Sequence, residues 1–223
     1  MSGWILLIGV LSLGVASHPG APPPSRPTGL AISTAWTAPL GLAKGKLLVA
    51  RKHMIDPNFA ESVVLLLEYG EEGAMGLIVN RPTEVSLSDV LEIDGAERLA
   101  EPIYIGGPVA RGRMLLLLRA PTSPEEAQRV FEDVHFSASK TLLERMVSRP
   151  AAEDRFRVYA GHAGWAAGQL ESEIERGGWH IMPGDPDLVF SKAPTAVWPE
   201  LIRRTTTRWA SLEDSPLSAS LAR

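Results

Sequence analysis

The stretch Ser62-Val63-Val64-Leu65-Leu66-Leu67-Glu68-Tyr69 constrains the fold more than any other part of the chain. It is β-branched at its start and apolar along most of its length. It therefore reads as a strand buried on both faces, not as the alternating strand of a sheet with one wet side. Such a strand requires covering layers above and below it. Glu71-Glu72-Gly73 follows as a turn, with Gly73 able to supply a positive φ where the chain reverses. Ala74 to Val79 is the returning strand, so residues 62–80 form a hairpin. Asn80-Arg81-Pro82 is expected to stop it, because proline lacks the N–H that a ladder needs.

Short apolar runs at Lys46–Ala50, Ile103–Ile105, Arg113–Arg119, Phe156–Tyr159, Trp179–Met182 and Leu188–Phe190 predict further strands. Three stretches carry helical stripes. Ser139 caps one that bears Leu142, Leu143, Met146 and Val147. Gln169–Arg176 holds Leu170 and Ile174 one turn apart, and Thr195–Arg204 holds Val197, Trp198, Leu201 and Ile202. Ser123-Pro124-Glu125-Glu126 has the signature of a helix start, Ser as N-cap, Pro at N1 and Glu at N3. The reading there is one or two helical turns, then a strand through Val134–Phe136. Strands come first and helices mix with strands later, without regular βαβ alternation, which favours an α+β fold over a doubly wound sheet.

Composition adds boundaries and exclusions. The first 43 residues carry one charged side chain, Arg26, which leaves 21 basic and 26 acidic residues, a net of −5, in the remainder. This shift marks a boundary near Lys44, and the expected organisation is a leader over 1–43, a folded domain over 44–210 and a tail over 211–223. Trp4–Leu13 is too short to span a bilayer, which takes roughly 20 residues. It matches a secretory h-region, with Val15-Ala16-Ser17 as a cleavage site for a signal at 1–17, but no Lys or Arg precedes it. Five prolines between His18 and Pro27 make an extended linker. Lacking cysteine altogether, the chain has no disulfides, thiolate-bound metals or thiol nucleophiles.

No metal site is expected, since no two of the five histidines share an i, i+4 spacing and no HExxH occurs. There is no G-x-S-x-G elbow and no phosphate loop, and no cofactor is indicated. Four polar loops remain as candidates. The first, His53-Met54-Ile55-Asp56-Pro57-Asn58-Phe59, is a turn pinned by Phe59, or a binding loop using His53 and Asp56. The second is Asn80-Arg81-Pro82, where arginine braces carbonyls or binds an anion. The third is Gly106-Gly107-Pro108-Val109, a pair that permits close backbone approach. The fourth runs from Gly161 through His162, Gly164 and Trp165 to Gln169, small residues around one indole, with Gln169 placed to begin a helix.

Read as a series, these loops resemble the YqgE/AlgH family of bacterial proteins. The matching residues are Gly45–Ala50, His53-Met54, Asp56-Pro57-Asn58-Phe59 and Ser62-Val63, then Gly73–Leu77, Asn80-Arg81-Pro82 and Gly106-Gly107-Pro108-Val109. Ala163-Gly164-Trp165, Gly168-Gln169-Leu170-Glu171, Glu173-Ile174, Trp179 and Asp185-Pro186-Asp187 complete it, from about Lys44 to Trp209. The resemblance implies a single compact α+β domain, with a bifurcated mixed sheet curled towards a pseudo-barrel and flanking helices, and a strand through 130–136. It brings no catalytic residue. His162 stands where the family usually has an aromatic such as tyrosine, and Lys52 where proline is usual. Family members are generally cytoplasmic and have been described as transcriptional regulators.

Two functions from different classes follow. One is a non-enzymatic binding or regulatory module that uses the loop face, His53 to Gln169, on a protein partner. The other is a small-ligand site or enzyme in which His53, Asp56 and Arg81 converge. Direct DNA binding is not expected of an acidic body without a helix-turn-helix, and neither is a membrane span.

Overall fold

The computed structural model describes residues 41–90, 101–148 and 155–213, with side chains up to residue 205. The expectations for the leader up to residue 40 and for the end of the tail lie outside the described residues. Among the described residues, ten strands and four α-helices follow in chain order: β1 (Leu47–Ala50), β2 (Val63–Gly70), β3 (Gly73–Ile78), β4 (Pro82–Ser86), β5 (Pro102–Ile105), β6 (Val109–Arg119), β7 (Gln128–Phe131), β8 (Val134–Ser137), α1 (Lys140–Ser148), β9 (Arg155–Ala166), α2 (Gln169–Glu175), β10 (Trp179–Met182), α3 (Pro186–Val189) and α4 (Pro194–Glu213).

The strands make one sheet, ordered β10-β1-β2-β3-β9-β6-β8-β7, with β4 and β5 branching from it. The fork is at β9. Its C-terminal part pairs antiparallel with β3, Gly73 opposite Ala166 and Gly76 opposite Ala163. Its middle runs parallel to β5, Tyr104 opposite Tyr159, while it pairs antiparallel with β6 on residues 155–162. The sheet is thus bifurcated and mixed, and it does not close into a barrel. It does curl. Phe131 on edge strand β7 lies against Gly45 and Gly184, which flank β1 and β10 at the opposite end, and a Cβ at either glycine would stand 2.8 Å from a Phe131 carbon.

Burial on both faces of β2 follows from its sequence. Val63, Leu65 and Leu67 enter the concave core with Leu47, Leu117, Tyr159 and Leu201. Val64 and Leu66 enter a second core with Leu48, Trp165, Leu170 and Trp179 under α2. A third core, Leu116, Leu118, Leu142, Met146 and Val158, lies beneath α1. Ser139 caps α1 through Leu142 N at 3.2 Å, as expected. The domain boundary near Lys44 leaves out Leu42, which is 1% exposed in the second core, and α4 continues beyond residue 210 to Glu213.

Four elements differ from the sequence reading. Strand β3 stops at Ile78, before Asn80-Arg81-Pro82 as expected, but Pro82 then opens a further strand, β4, at an edge where a missing N–H costs nothing. The stretch after Ser123 is a turn followed by a β7–β8 hairpin, not a helix. Ser123 Oγ donates to the Ala127 carbonyl instead of capping, and the hairpin buries Val130 with Val134 and Phe136. The strand expected through 130–136 is therefore two strands, with Glu132 at φ +42 between them. Leu188–Phe190 is not a strand. Asp185 caps α3 from Asp187 N and Leu188 N at 2.9 and 3.2 Å, with Pro186 at the first turn. Finally, Gly161–Trp165 is no loop but the second half of β9.

Candidate functional site

The first two candidate loops form one unit. Asp56 Oδ1 accepts from Asn58 N at 2.8 Å, and the Asp56 carbonyl accepts from Phe59 N and Ala60 N, which folds residues 56–60 into a tight turn. Asn80, buried at the end of β3, accepts from Val63 N at 2.8 Å and donates to the Glu61 carbonyl at 2.9 Å. Those bonds hold Glu61 at φ +56, an uncommon value for a residue with a side chain. Arg81 donates from Nη1 to the Asn58 carbonyl and from Nη2 to the Ala60 carbonyl, both at 2.7 Å. Burial lowers the Arg81 pKa, and Asp56 and Glu61 push it back up. Asn80 and Arg81 are thus a latch on the 53–62 loop, and the carbonyl-bracing reading of Arg81 is the one its geometry takes.

Phe59 carries this loop into the second core. Its ring stacks on Trp165 at 5.7 Å and meets Trp179 edge-on at 5.5 Å, while the two indoles cross at 6.1 Å. Both indole N–H groups donate to Glu173 Oε2, at 3.0 and 2.9 Å. Gln169 donates to Glu173 Oε1 and accepts from Ala166 N, which ties the start of α2 to the end of β9. Gly164 lies on β9 opposite Met75, beside Trp165.

The glycine pair belongs to the fork. Gly106 N donates to the Ala160 carbonyl, and Ile78 N donates to that of Gly106. A Cβ at Gly106 would sit 2.3 Å from the Gly161 carbonyl oxygen, and one at Gly107 2.2 Å from the His162 carbonyl carbon. Only glycine permits that backbone crossing.

His53 does not join Asp56 and Arg81. No hydrogen bond links the three side chains among the described residues, and His53 Nε2 stands instead near Gly177 together with the Arg51 guanidinium. His180 is in the same cluster, its pKa lowered by burial first and then by Arg51 and His53. No group of three or more metal-ligating side chains occurs among the described residues.

A different site lies at one end of the curled sheet. A cleft of about 310 Å³ crosses the concave face from β2 to β7, floored by Met75, Leu115 and Phe136 and rimmed by Glu68, Arg113, Gln128 and His162. Glu126 also lines it, but both its oxygens receive Arg145, at 2.8 and 2.9 Å. Glu68, Arg113 and Gln128 make no side-chain hydrogen bond or ion pair among the described residues, and the buried Nδ1 of His162 has no partner. Burial, then Arg113, lowers the His162 pKa. Sequence reasoning passed over Glu68, Arg113 and Gln128, which lie on separate strands with no spacing rule to connect them. His162 was visible in the fourth candidate loop and as a departure from the family pattern, with nothing to tie it to the other three.

A family model described as AlgH-like matches residues 47–210. A UPF0301 protein of Streptomyces coelicolor is 38% identical over 182 residues, covering 79% of this chain and 94% of that protein. One from Anaeromyxobacter dehalogenans is 38% identical over 178 residues, covering 75% and 89%. The solution structure of the AlgH protein from Pseudomonas aeruginosa is similar at a TM-score of 0.59 and 30% identity, over 84% of this chain and 97% of that one. The crystal structure of protein DIP2367 from Corynebacterium diphtheriae is similar at a TM-score of 0.62 and 26% identity, over 73% and 87%.

Proposed function

The chain belongs to the AlgH-like family, and on that footing we propose that it is a non-enzymatic binding and regulatory module that engages a protein partner through the latched 53–62 loop. One observation carries the reading. Ile55 is 95% exposed at the outer turn of this loop, whose backbone is held by Asp56, Asn80 and Arg81. A lone exposed apolar residue is ordinary. An apolar residue on a turn with its backbone already fixed is different, because little ordering entropy is left to lose on docking. The same bonds engage Asp56, Asn80 and Arg81, three of the polar side chains that chemistry at this loop would need. Any influence on transcription would pass through the bound protein, since a body with a net charge of −5 over residues 44–223 is repelled by duplex phosphates.

The test is a pull-down from the native cell extract with the parent and Ile55→Asp, both checked for equal urea midpoints. A protein retained by the parent and lost with Ile55→Asp is the expected result. Identical retention by both would remove the loop from the partner surface. Salt-sensitive capture of DNA on a filter would replace the protein-mediated route. The cytoplasm is the proposed compartment. No helix among the described residues is long and apolar enough to cross a membrane, and native material whose N-terminus is His18 would overturn that compartment.

A further inference from the structure

The mouth of the curled sheet has no part in the latched loop, and its own chemistry identifies a ligand. Four observations define it. The floor is apolar: Met75, Leu115 and Phe136. Glu68 on β2 is an exposed carboxylate without an ion-pair partner among the described residues, and Arg113 on β6 is an exposed guanidinium in the same condition. Between them on β9 lies His162, whose ring lines the cleft and whose buried Nδ1 has no partner. Burial and the neighbouring Arg113 both favour its neutral form, a ring that both donates and accepts hydrogen bonds.

This set excludes several ligand classes. One free cation among two carboxylates, one of them already neutralised by Arg145, does not suit a phosphate or a nucleotide. The lining carboxylates and histidine do not gather into a metal-binding group. What remains complementary is a molecule with one positive end, one negative end and an apolar body between them. The sheet sets its length. Glu68 and Arg113 are on strands separated by β3 and β9, about 14 Å across the sheet, and are offset along it, since Glu68 is level with Gly164 through Met75 and Arg113 precedes Met114, which is level with Ala160. Two long side chains close part of that span, and a short peptide, extending up to about 3.3–3.6 Å per residue, closes the rest. Mouths of curled sheets are favoured places for ligands because they combine a dry floor with a polar rim.

We propose that this cleft binds a short zwitterionic peptide with an apolar side chain. Its ammonium end meets Glu68, its carboxylate end meets Arg113, its side chain rests on Met75 and Phe136, and His162 hydrogen-bonds the peptide group between them.

The experiment is a titration of the full chain with Leu-Leu, followed by calorimetry and by the imidazole resonances of His162. Ac-Leu-Leu, Leu-Leu-amide and free L-leucine serve as controls for the two ends and for length. Leu-Leu should bind saturably and shift His162, and each blocked or shortened control should bind at least tenfold more weakly. Arg113→Gln should erase the preference for a free carboxylate, and Glu68→Gln the preference for a free ammonium. Both residues are exposed and unpaired, so both variants fold. Absence of any saturable shift up to on the order of 10 mM Leu-Leu, a range that covers even millimolar affinity, would overturn the proposal. So would equal binding of the blocked peptides, or binding that survives both substitutions unchanged. None of these outcomes bears on Ile55, so this test and that of the loop fail independently.

Discussion

The latched loop and the mouth cleft use polar residues in opposite ways. Around the loop, Asp56, Asn80, Arg81, Gln169 and Glu173 all spend their hydrogen-bonding groups on the protein itself. Around the cleft, Glu68, Arg113, Gln128 and His162 Nδ1 spend nothing. Yet the loop supplies the distinctive sequence motifs, and the cleft supplies almost none. A dense cluster of Asn, Arg, Gly and Pro reports a demanding backbone path, which needs satisfied carbonyls and N–H groups wherever it is buried. A binding surface has the contrary requirement, groups left unsatisfied until something arrives.

The largest effect expected from this contrast is at the aromatic cluster. Trp165→Ala should cost about 3–5 kcal/mol, the range for a buried large aromatic, because Trp165 is 5% exposed and supports Phe59, Trp179 and Glu173 together. A urea midpoint equal to the parent's would break the claim that the loop rests on this cluster. Asn80→Ala comes next, at about 2–3 kcal/mol, since it orphans the buried Val63 N–H and the Glu61 carbonyl at once. It should also speed amide exchange over residues 58–63 ahead of the rest of the domain. Uniform exchange would mean that Asn80 does not latch the loop separately.

How much of this was legible depends on whether the signal was local. The β2–β3 hairpin was readable because continuous apolarity and Gly73, at φ +125, sit within one short stretch. The bracing role of Arg81 was readable as one of two options. The β7 strand was not, because a good local helix start at Ser123 competed with a tertiary gain, burial of Val130, that only the assembled core reveals. The α3 helix has a local signal too, since Asp185-Pro186 is an N-cap and N1 pair, but the apolar Leu188–Phe190 run beside it carries an equally local strand signal. The cleft was illegible in principle. Sheet order, not chain order, brings Glu68, His162 and Arg113 to one mouth.

A smaller effect concerns pH. His135, His162 and His180 are all held below the ordinary histidine value, in each case by burial first. Below about pH 6.5 the unfolded chain therefore binds more protons than the native one at these sites. The stabilisation is complete above that pH and is lost as pH falls towards the folded values. The Asp89 and Glu126 pKa values are lowered too, but they act only below the ordinary carboxylate range. The urea midpoint should thus decline between about pH 6.5 and pH 5. His135→Gln should flatten that decline, because His135 is 2% exposed and faces Arg129 and Asp133. A midpoint constant across the window would show that the three rings titrate as if unfolded.

The smallest effect sharpens the comparison most. If the cleft groups are free, removing them should cost no stability. Arg113→Gln and Glu68→Gln should each leave the urea midpoint within about 0.5 kcal/mol of the parent, the usual range for surface substitutions away from any network. The expectation differs from that for Asn80 although all three are polar residues of the same domain. Asn80 is buried and doubly bonded, whereas Glu68 and Arg113 are exposed. Burying a charge that has no partner is penalised, but leaving one in water is not. A loss of about 2 kcal/mol or more at either cleft residue, the scale of a broken buried network, would place that residue in the architecture and erase the distinction between the two regions. A small gain at Glu68→Gln would instead fit relief of repulsion from Glu126 and the exposed Glu71 and Glu72 of the adjoining turn, and would leave the cleft as the part of the domain not committed to its own fold.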